Sequence, residues 1–437
     1  MKVGIFVGLI LILTWYLFDL EWKYLGYSCL IIFLLSIAYD WQKEKNRSKD
    51  KHNIQTKLIH SGSQRSQNNE TSEAIYLTSG YIYNSAEEAE ARFKGEIDGY
   101  IYSRYSNPNL TMLEKKLCEM EGAEAARLTS SGMAAVFWAL FTNVQSGDHI
   151  VAADALFGSC LSILKDILPN YGIEVTIVRA NKIEEWEKSI KSNTKIFFFE
   201  TPTNPMLEII DIEKLSQIAK ANNIKVIIDN VFATPLRQRP MEFGADIVIY
   251  SATKHIDGQG RCLGGVILGD AEFIENKLHD YLKHTGPALS PFNAWIMMKG
   301  LETLSLRTDR QIESAKKIAD YLVDLANIKE VIYPGHKSHP EYNIAQKQMT
   351  GGGPIVTFKV DGGKKEAFNF LNKLDLIKIS NNLGDARTLI THPKTTTHRN
   401  LSDSECMNLG ITESTLRMSL GLEDIDDIMI DIGKSIQ

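Results

Sequence analysis

The segment KVIIDNVFATPLRQRPMEFGADIVIYSATK, residues 225–254, decides the fold. It holds two apolar runs, KVIIDN (225–230) and DIVIYS (246–251). The first reaches Asp229, and the second ends in Ser251 with Ala252, Thr253 and Lys254 behind it. Continuous apolar runs, as opposed to alternating ones, predict strands covered on both faces, the habit of a parallel sheet. Four more such runs lie on either side: HIVAA (149–153), IEVTIV (173–178), KIFFFE (195–200) and GGVILG (264–269). Between them, DIEKLSQIAKA (211–221) has an Asp start signal and helical spacing of Ile212, Leu215, Ile218 and Ala219. Residues 107–302 therefore read as a doubly wound α/β domain. A long amphipathic helix over 303–327 opens a smaller α+β domain, 303–437, in which PIVTFKV (354–360) and STLRMSL (414–420) alternate like half-buried strands.

The composition suits this reading. The chain has 437 residues, 44% apolar and 23% charged, which excludes a disordered, collagen-like or disulfide-framework protein. The 48 basic against 54 acidic residues give a net charge of −6, so nothing is spare to neutralise a nucleic-acid backbone. The five cysteines, Cys29, Cys118, Cys160, Cys262 and Cys406, form no CxxC pair and read as reduced thiols in a reducing compartment.

The amino terminus differs from the rest. Residues 3–18 and 24–39 are two uncharged runs of 16 residues, separated by Asp19, Glu21 and Lys23. Each makes about 24 Å of helix against a hydrocarbon core of ~30 Å, with Trp and Tyr at the ends able to extend the span. Lys2 before them and Lys43, Lys45, Arg47, Lys49 and Lys51 behind them put both ends on the cytoplasmic side. The expectation is a transmembrane hairpin over 1–42 and a charged linker over 43–56, tethering a cytoplasmic catalytic domain to the inner face of the membrane. A secretory signal fits less well, because a second apolar run follows and no small-residue cleavage site is evident. The bland alternative is that the working protein starts near Lys51.

In open α/β sheets, ligands bind beyond the carboxyl ends of the strands. Glu200, Asp229 and Ser251 all sit there, and Lys254 lies just past the last of them. A lysine beside a closed crevice can have a lowered pKa and form a Schiff base. An Asp facing a pyridinium nitrogen and a Schiff-base lysine are recurring parts of a pyridoxal phosphate site. In SSGMAAVFWAL (130–140), small residues lead into an apolar helix whose free N–H groups could hold a phosphate.

Together YSRYSNPN (102–109), SSGMAA (130–135), ETPTNP (200–205), DNVFATP (229–235) and SATKHIDGQGR (251–261) resemble the cysteine/methionine-metabolism family of pyridoxal-phosphate enzymes over about residues 54–437. The resemblance implies the aspartate-aminotransferase (fold type I) architecture, with a mostly parallel seven-stranded sheet. It implies pyridoxal 5'-phosphate on Lys254, which would also shuttle protons, and Asp229 at the ring nitrogen. The Gly132 and Met133 amides, with the Ser251 and Thr253 hydroxyls, would bind the phosphate. Tyr102 and Arg104, in an arm over 57–106, would reach the phosphate of a neighbouring subunit, so at least a homodimer is implied and a homotetramer is usual. Asn204 would lie near the phenolic oxygen, and Arg417 would grip the substrate α-carboxylate.

Two departures matter. Phe157 stands where most members stack a tyrosine on the ring; it can stack but cannot carry a proton, so that work falls to Lys254 or Tyr102. Asn382-Leu383-Gly384 replaces Ser-Leu-Gly near the carboxylate site. Both variants, with IDGQGR after the lysine, look like the O-succinylhomoserine sulfhydrylase branch, which implies γ-replacement on O-succinylhomoserine by sulfide in methionine biosynthesis. Methionine γ-lyases usually have Cys where Ser159 stands. The alternatives are a cystathionine γ-synthase or methionine γ-lyase type of reaction, or a membrane-tethered relative without turnover.

Other features have plainer readings. GQGRCLGG (258–265) opens a strand and not a helix, so it fails as a dinucleotide loop. His392 and His398 read as a loop near the substrate mouth and not as a metal site. Glu200 reads as an acceptor of backbone or hydroxyl hydrogen bonds, and Cys160 and Cys262 as packed thiols.

Overall fold

The apolar runs form a seven-stranded sheet in the computed structural model, which describes residues 52–436. The strands are β1 (Ala125–Thr129), β2 (His149–Ala153), β3 (Glu174–Val178), β4 (Thr194–Glu200), β5 (Lys225–Asp229), β6 (Ile247–Ser251) and β7 (Gly265–Gly269), in the spatial order β1-β7-β6-β5-β4-β2-β3. From β3 to β6 all pairings are parallel. In β4, Phe197, Phe198 and Phe199 are fully buried, and Trp186 packs on Phe197 and Phe199 with ring centroids 5.2 and 5.7 Å apart. Each such ring contributes roughly 1.5–3 kcal/mol by leaving water.

Helices cover the sheet. Gly132–Phe141 packs on β6 and β7, and Pro108–Glu121 packs on β1. Ile212–Ala221 packs on β5; Asp211 caps it by accepting the Lys214 N–H at 3.0 Å, and Ile212, Leu215 and Ala219 are buried.

The sheet departs from expectation at its β1–β7 edge. GGVILG is not a parallel strand: β7 runs antiparallel to both β1 and β6. A parallel return needs a crossover, usually a helix, whereas the segment between β6 and β7 is turns and coil that carry Lys254. The outer strand β1, AARLT, was not anticipated, because it is short and polar at Arg127.

The second sheet is β10-β11-β12-β9-β8, from β8 (Ile328–Ile332), β9 (Ile355–Val360), β10 (Lys378–Ile379), β11 (Leu389–Thr391) and β12 (Thr415–Ser419). Leu416, Met418 and Leu420 pack with Phe358, Phe370 and Ile428. The expected half-exposure of PIVTFKV and STLRMSL fails. Thr357, Thr415, Arg417 and Ser419 are all buried, because loops cover the polar face of this sheet: Thr357 Oγ1 donates to Pro205 O at 2.6 Å, Arg417 to Asn204 Oδ1 at 2.9 Å, and Ser419 Oγ accepts the Gly384 N–H at 3.0 Å.

The proposed hairpin, 1–42, lies outside the described residues, and so does most of the linker, 43–56. Among the described residues no helix is long and apolar enough to cross a membrane.

Candidate active site

Strands β4 and β5 end side by side, with Glu200 paired in register with Asp229. Both carboxylates are buried. Burial raises the pKa of each, and for Glu200 the nearby Asp229 charge raises it further. Two buried acids this close do not both ionise readily, and Glu200 is the one held well above the carboxylate range. It accepts the Phe157 N–H at 3.1 Å, the backbone contact expected of it, and so fixes the start of the short helix Gly158–Ser162. Asp229 accepts the Val231 N–H at 3.1 Å on one oxygen.

Lys254 lies in the turns after β6. Its Nζ donates to Asn382 Oδ1 at 2.6 Å, and burial, aided by the Arg417 charge and opposed by Asp229, lowers its pKa to about 8. The loop bearing Asn382 can lie this close because of Gly384: its φ is +74°, and a Cβ there would sit 2.8 Å from the His255 N. Arg417, on β12, is 2% exposed. It donates to Asn204 Oδ1 at 2.9 Å, to Asn381 O at 2.9 Å and to Asn382 O at 3.4 Å, and lies over the Phe232 ring. One sheet therefore brings Lys254, Asp229 and Asn204 together, and the other adds Arg417 and Asn382.

Ser131 caps the helix Gly132–Phe141 by accepting the Ala134 N–H at 3.2 Å. A Cβ on Gly132 would lie 2.7 Å from Ser251 Cβ, so glycine alone lets the helix start meet the end of β6. The Gly132 and Met133 N–H groups have no acceptor among the described residues. The Thr253 hydroxyl accepts the Gly264 N–H at 3.1 Å, and its own donor side makes only a long contact with Gly264 O at 3.3 Å.

Tyr102 and Arg104 stand apart from this group within the protomer. Tyr102 is 42% exposed, and Arg104 lies over its ring at 5.5 Å while donating to Lys283 O. Both ring nitrogens of His392 are engaged, with Thr395 Oγ1 at 2.9 Å and Glu413 O at 2.8 Å. His398 contacts Asn204 O at 3.1 Å. Burial holds Cys160 well above its ordinary pKa and pushes Cys262 up to about 12, as packed thiols require.

These residues suit pyridoxal phosphate on structural grounds. The buried Asp229 has one oxygen with no partner among the described residues, the helix start offers two unpaired amides, and a lysine of lowered basicity feels the Asp229 charge. Residues 55–437 match the family described as Cys/Met metabolism PLP-dependent enzyme. The chain belongs to that family. As a member of it, the protein is an enzyme dependent on pyridoxal phosphate.

Family relatives are near. An O-succinylhomoserine sulfhydrylase of Mycobacterium tuberculosis is 48% identical over 382 residues, 86% of this chain and 94% of that one. One of Pseudomonas aeruginosa is 41% identical over 381 residues, 87% and 94% of the two chains. An L-methionine gamma-lyase of Fusobacterium nucleatum is 39% identical over 389 residues, 89% and 98%. Among solved structures, a Campylobacter jejuni protein provisionally assigned as an O-acetylhomoserine (thiol)-lyase, carrying pyridoxyl-lysine monophosphate, superposes with a TM-score of 0.84 at 32% identity, covering 88% of this chain and 100% of that one.

Sequence reasoning set the His392–His398 loop near a substrate mouth, but did not foresee the bracing of Asn204 by His398 or the cleft of about 860 Å³ that joins the loop 395–401 to Phe157. Neither has a local signal, since each joins segments far apart in the chain.

Proposed function

We propose that this enzyme catalyses γ-replacement on an O-acylated homoserine, the succinyl ester first, using sulfide and releasing homocysteine and succinate. The γ-carbon loses its bond to the ester oxygen and gains one to sulfur, and succinate departs with the bonding pair. The observation that carries this reading is Lys254 Nζ, of basicity near neutrality, 2.6 Å from Asn382 on the loop whose carbonyls hold Arg417. The names of the Mycobacterium and Pseudomonas relatives support the choice of reaction.

When bound, pyridoxal phosphate supplies the electron sink that makes the substrate's α- and β-protons removable. The chain does the rest. Lys254 Nζ carries the cofactor and then takes and returns protons as general base and acid. Asp229, the more readily ionised of the two buried acids, keeps the ring nitrogen protonated. Gly132 and Met133 amides, with Ser251 and Thr253 hydroxyls, hold the phosphate. Asn204 would lie near the phenolic oxygen, and Phe157 could stack on the ring but could not carry a proton. Arg417 takes the substrate α-carboxylate, with Asn382 beside it. Tyr102 and Arg104 complete the site of a second copy, and Tyr102 is then the other group able to move a proton there.

A panel separates the family reactions. Purified enzyme is given each acylhomoserine with sulfide or with cysteine, and methionine alone. Homocysteine from the succinyl ester and sulfide should be the fastest product. The gamma-lyase relatives favour elimination as the second reading, and faster release of an oxoacid from methionine would establish it instead. A chain with no visible Schiff-base absorption would point to a relative without turnover.

For the first fifty residues we infer an inner-face tether on the sequence pattern alone. Tetramers of dihedral symmetry send their amino termini to opposite sides, whereas a twofold dimer can point both at one membrane. The expected forms are a tethered dimer or a tetramer made without residues 1–50; tetramers in washed membranes with the hairpin intact would contradict this.

A further inference from the structure

We infer that Arg399 is the specificity-determining residue that receives the distal carboxylate of a dicarboxylic acyl ester. This rests on the γ-replacement reading and extends it to the acyl group. The cleft of about 860 Å³ is lined by Phe157 and Asn381, by Thr397 and His398, and by Arg399. Its inner end adjoins the reaction centre, because Asn381 O accepts from Arg417 at 2.9 Å and the Phe157 N–H donates to Glu200. An ester whose α-carboxylate meets Arg417 therefore has this cleft into which to extend its acyl arm.

The charges of the outer end favour one cation. Lys165 is committed to Glu405 at 2.8 Å. Arg399 is exposed, and its guanidinium has neither a hydrogen bond nor an ion pair among the described residues. Asp166 also borders the cleft and repels an anion, which leaves Arg399 as the unpaired cation able to offset it. The turn that carries Arg399 is held in place: His398 Nε2 contacts Asn204 O at 3.1 Å, and the Leu401 N–H donates to His398 O at 3.1 Å. A planar guanidinium binds a carboxylate through two parallel hydrogen bonds. A succinyl group offers that carboxylate and an acetyl group does not.

The test compares wild type, Arg399→Ala and Arg399→Lys as holoenzymes. KM and kcat are measured for O-succinyl- and O-acetylhomoserine with sulfide, and binding of succinate and of acetate is measured by calorimetry. Arg399→Ala should raise KM for the succinyl ester about tenfold or more and leave kcat within about twofold. KM for the acetyl ester should be unchanged, succinate affinity should fall in parallel, and Arg399→Lys should recover part of both losses. Equal effects on the two esters, or none on succinate binding, would overturn the inference. A wild type that forms homocysteine from neither ester would instead reject the γ-replacement reading, and the succinate titration would still report on Arg399.

Discussion

Lys254 is a cation taken partly out of water, and the pKa of about 8 that results has a direct kinetic consequence. Only the neutral amine attacks an aldehyde, so its reactive fraction grows as pH rises through the folded-state pKa. Reconstitution of apoenzyme with pyridoxal phosphate should accelerate with pH and level off above about 8, followed by stopped-flow absorbance. A midpoint near an ordinary lysine value would mean that burial and Arg417 do not act on it. Asp229→Ala removes the charge matched to the ring nitrogen; turnover should fall by roughly 10²-fold or more while some cofactor stays bound. Lys254, Asp229 and Ser251 were legible as residues because each follows an apolar run at a strand's carboxyl end. Asn382 and Arg417 were legible only through the family resemblance. Arg399 was not legible at all, since its neighbours come from residues 157–166 and 379–381.

At the scale of elements, the site depends on the helix Gly132–Phe141 starting against the end of β6. Gly132→Ala would put a methyl 2.7 Å from Ser251 Cβ, between two backbones with no slack. The expected result is a cofactor dissociation constant raised about tenfold in equilibrium dialysis, equivalent to ~1.4 kcal/mol. Unaltered affinity would show that these amides do not bear the phosphate. Strand positions were readable from unbroken apolar runs, and β2, β4 and β5 lie within about a residue of the expected bounds. Direction was not readable, because β7 is as apolar as the parallel strands of the same sheet and its reversal is set by the connection after Lys254. Exposure of β9 and β12 was misread for a related reason. Alternation reports that one face is polar, and cannot report that loops from distant parts of the chain bury that face.

At the scale of the whole molecule, the arm of one protomer has too little to pack on. The helix Ala86–Lys94 buries no residue, and Leu77, Ile82 and Phe93 are 68%, 97% and 66% exposed. So short a helix is not stable alone in water. A second copy that covers it would also bring Tyr102 and Arg104 to a neighbouring site. Mixing Lys254→Ala chains with Arg104→Ala chains should then restore activity, because each hybrid dimer has one site free of both changes. Random exchange predicts about a quarter of the wild-type rate; mixtures as inactive as either parent would place both residues in the same site. The central claim is chemical and can be tested on the intact assembly. Holoenzyme is reduced with borohydride, digested and mapped by mass spectrometry. A pyridoxyl phosphate adduct on Lys254 and on no other lysine is the predicted result. An unmodified Lys254, or an adduct elsewhere, would contradict the account.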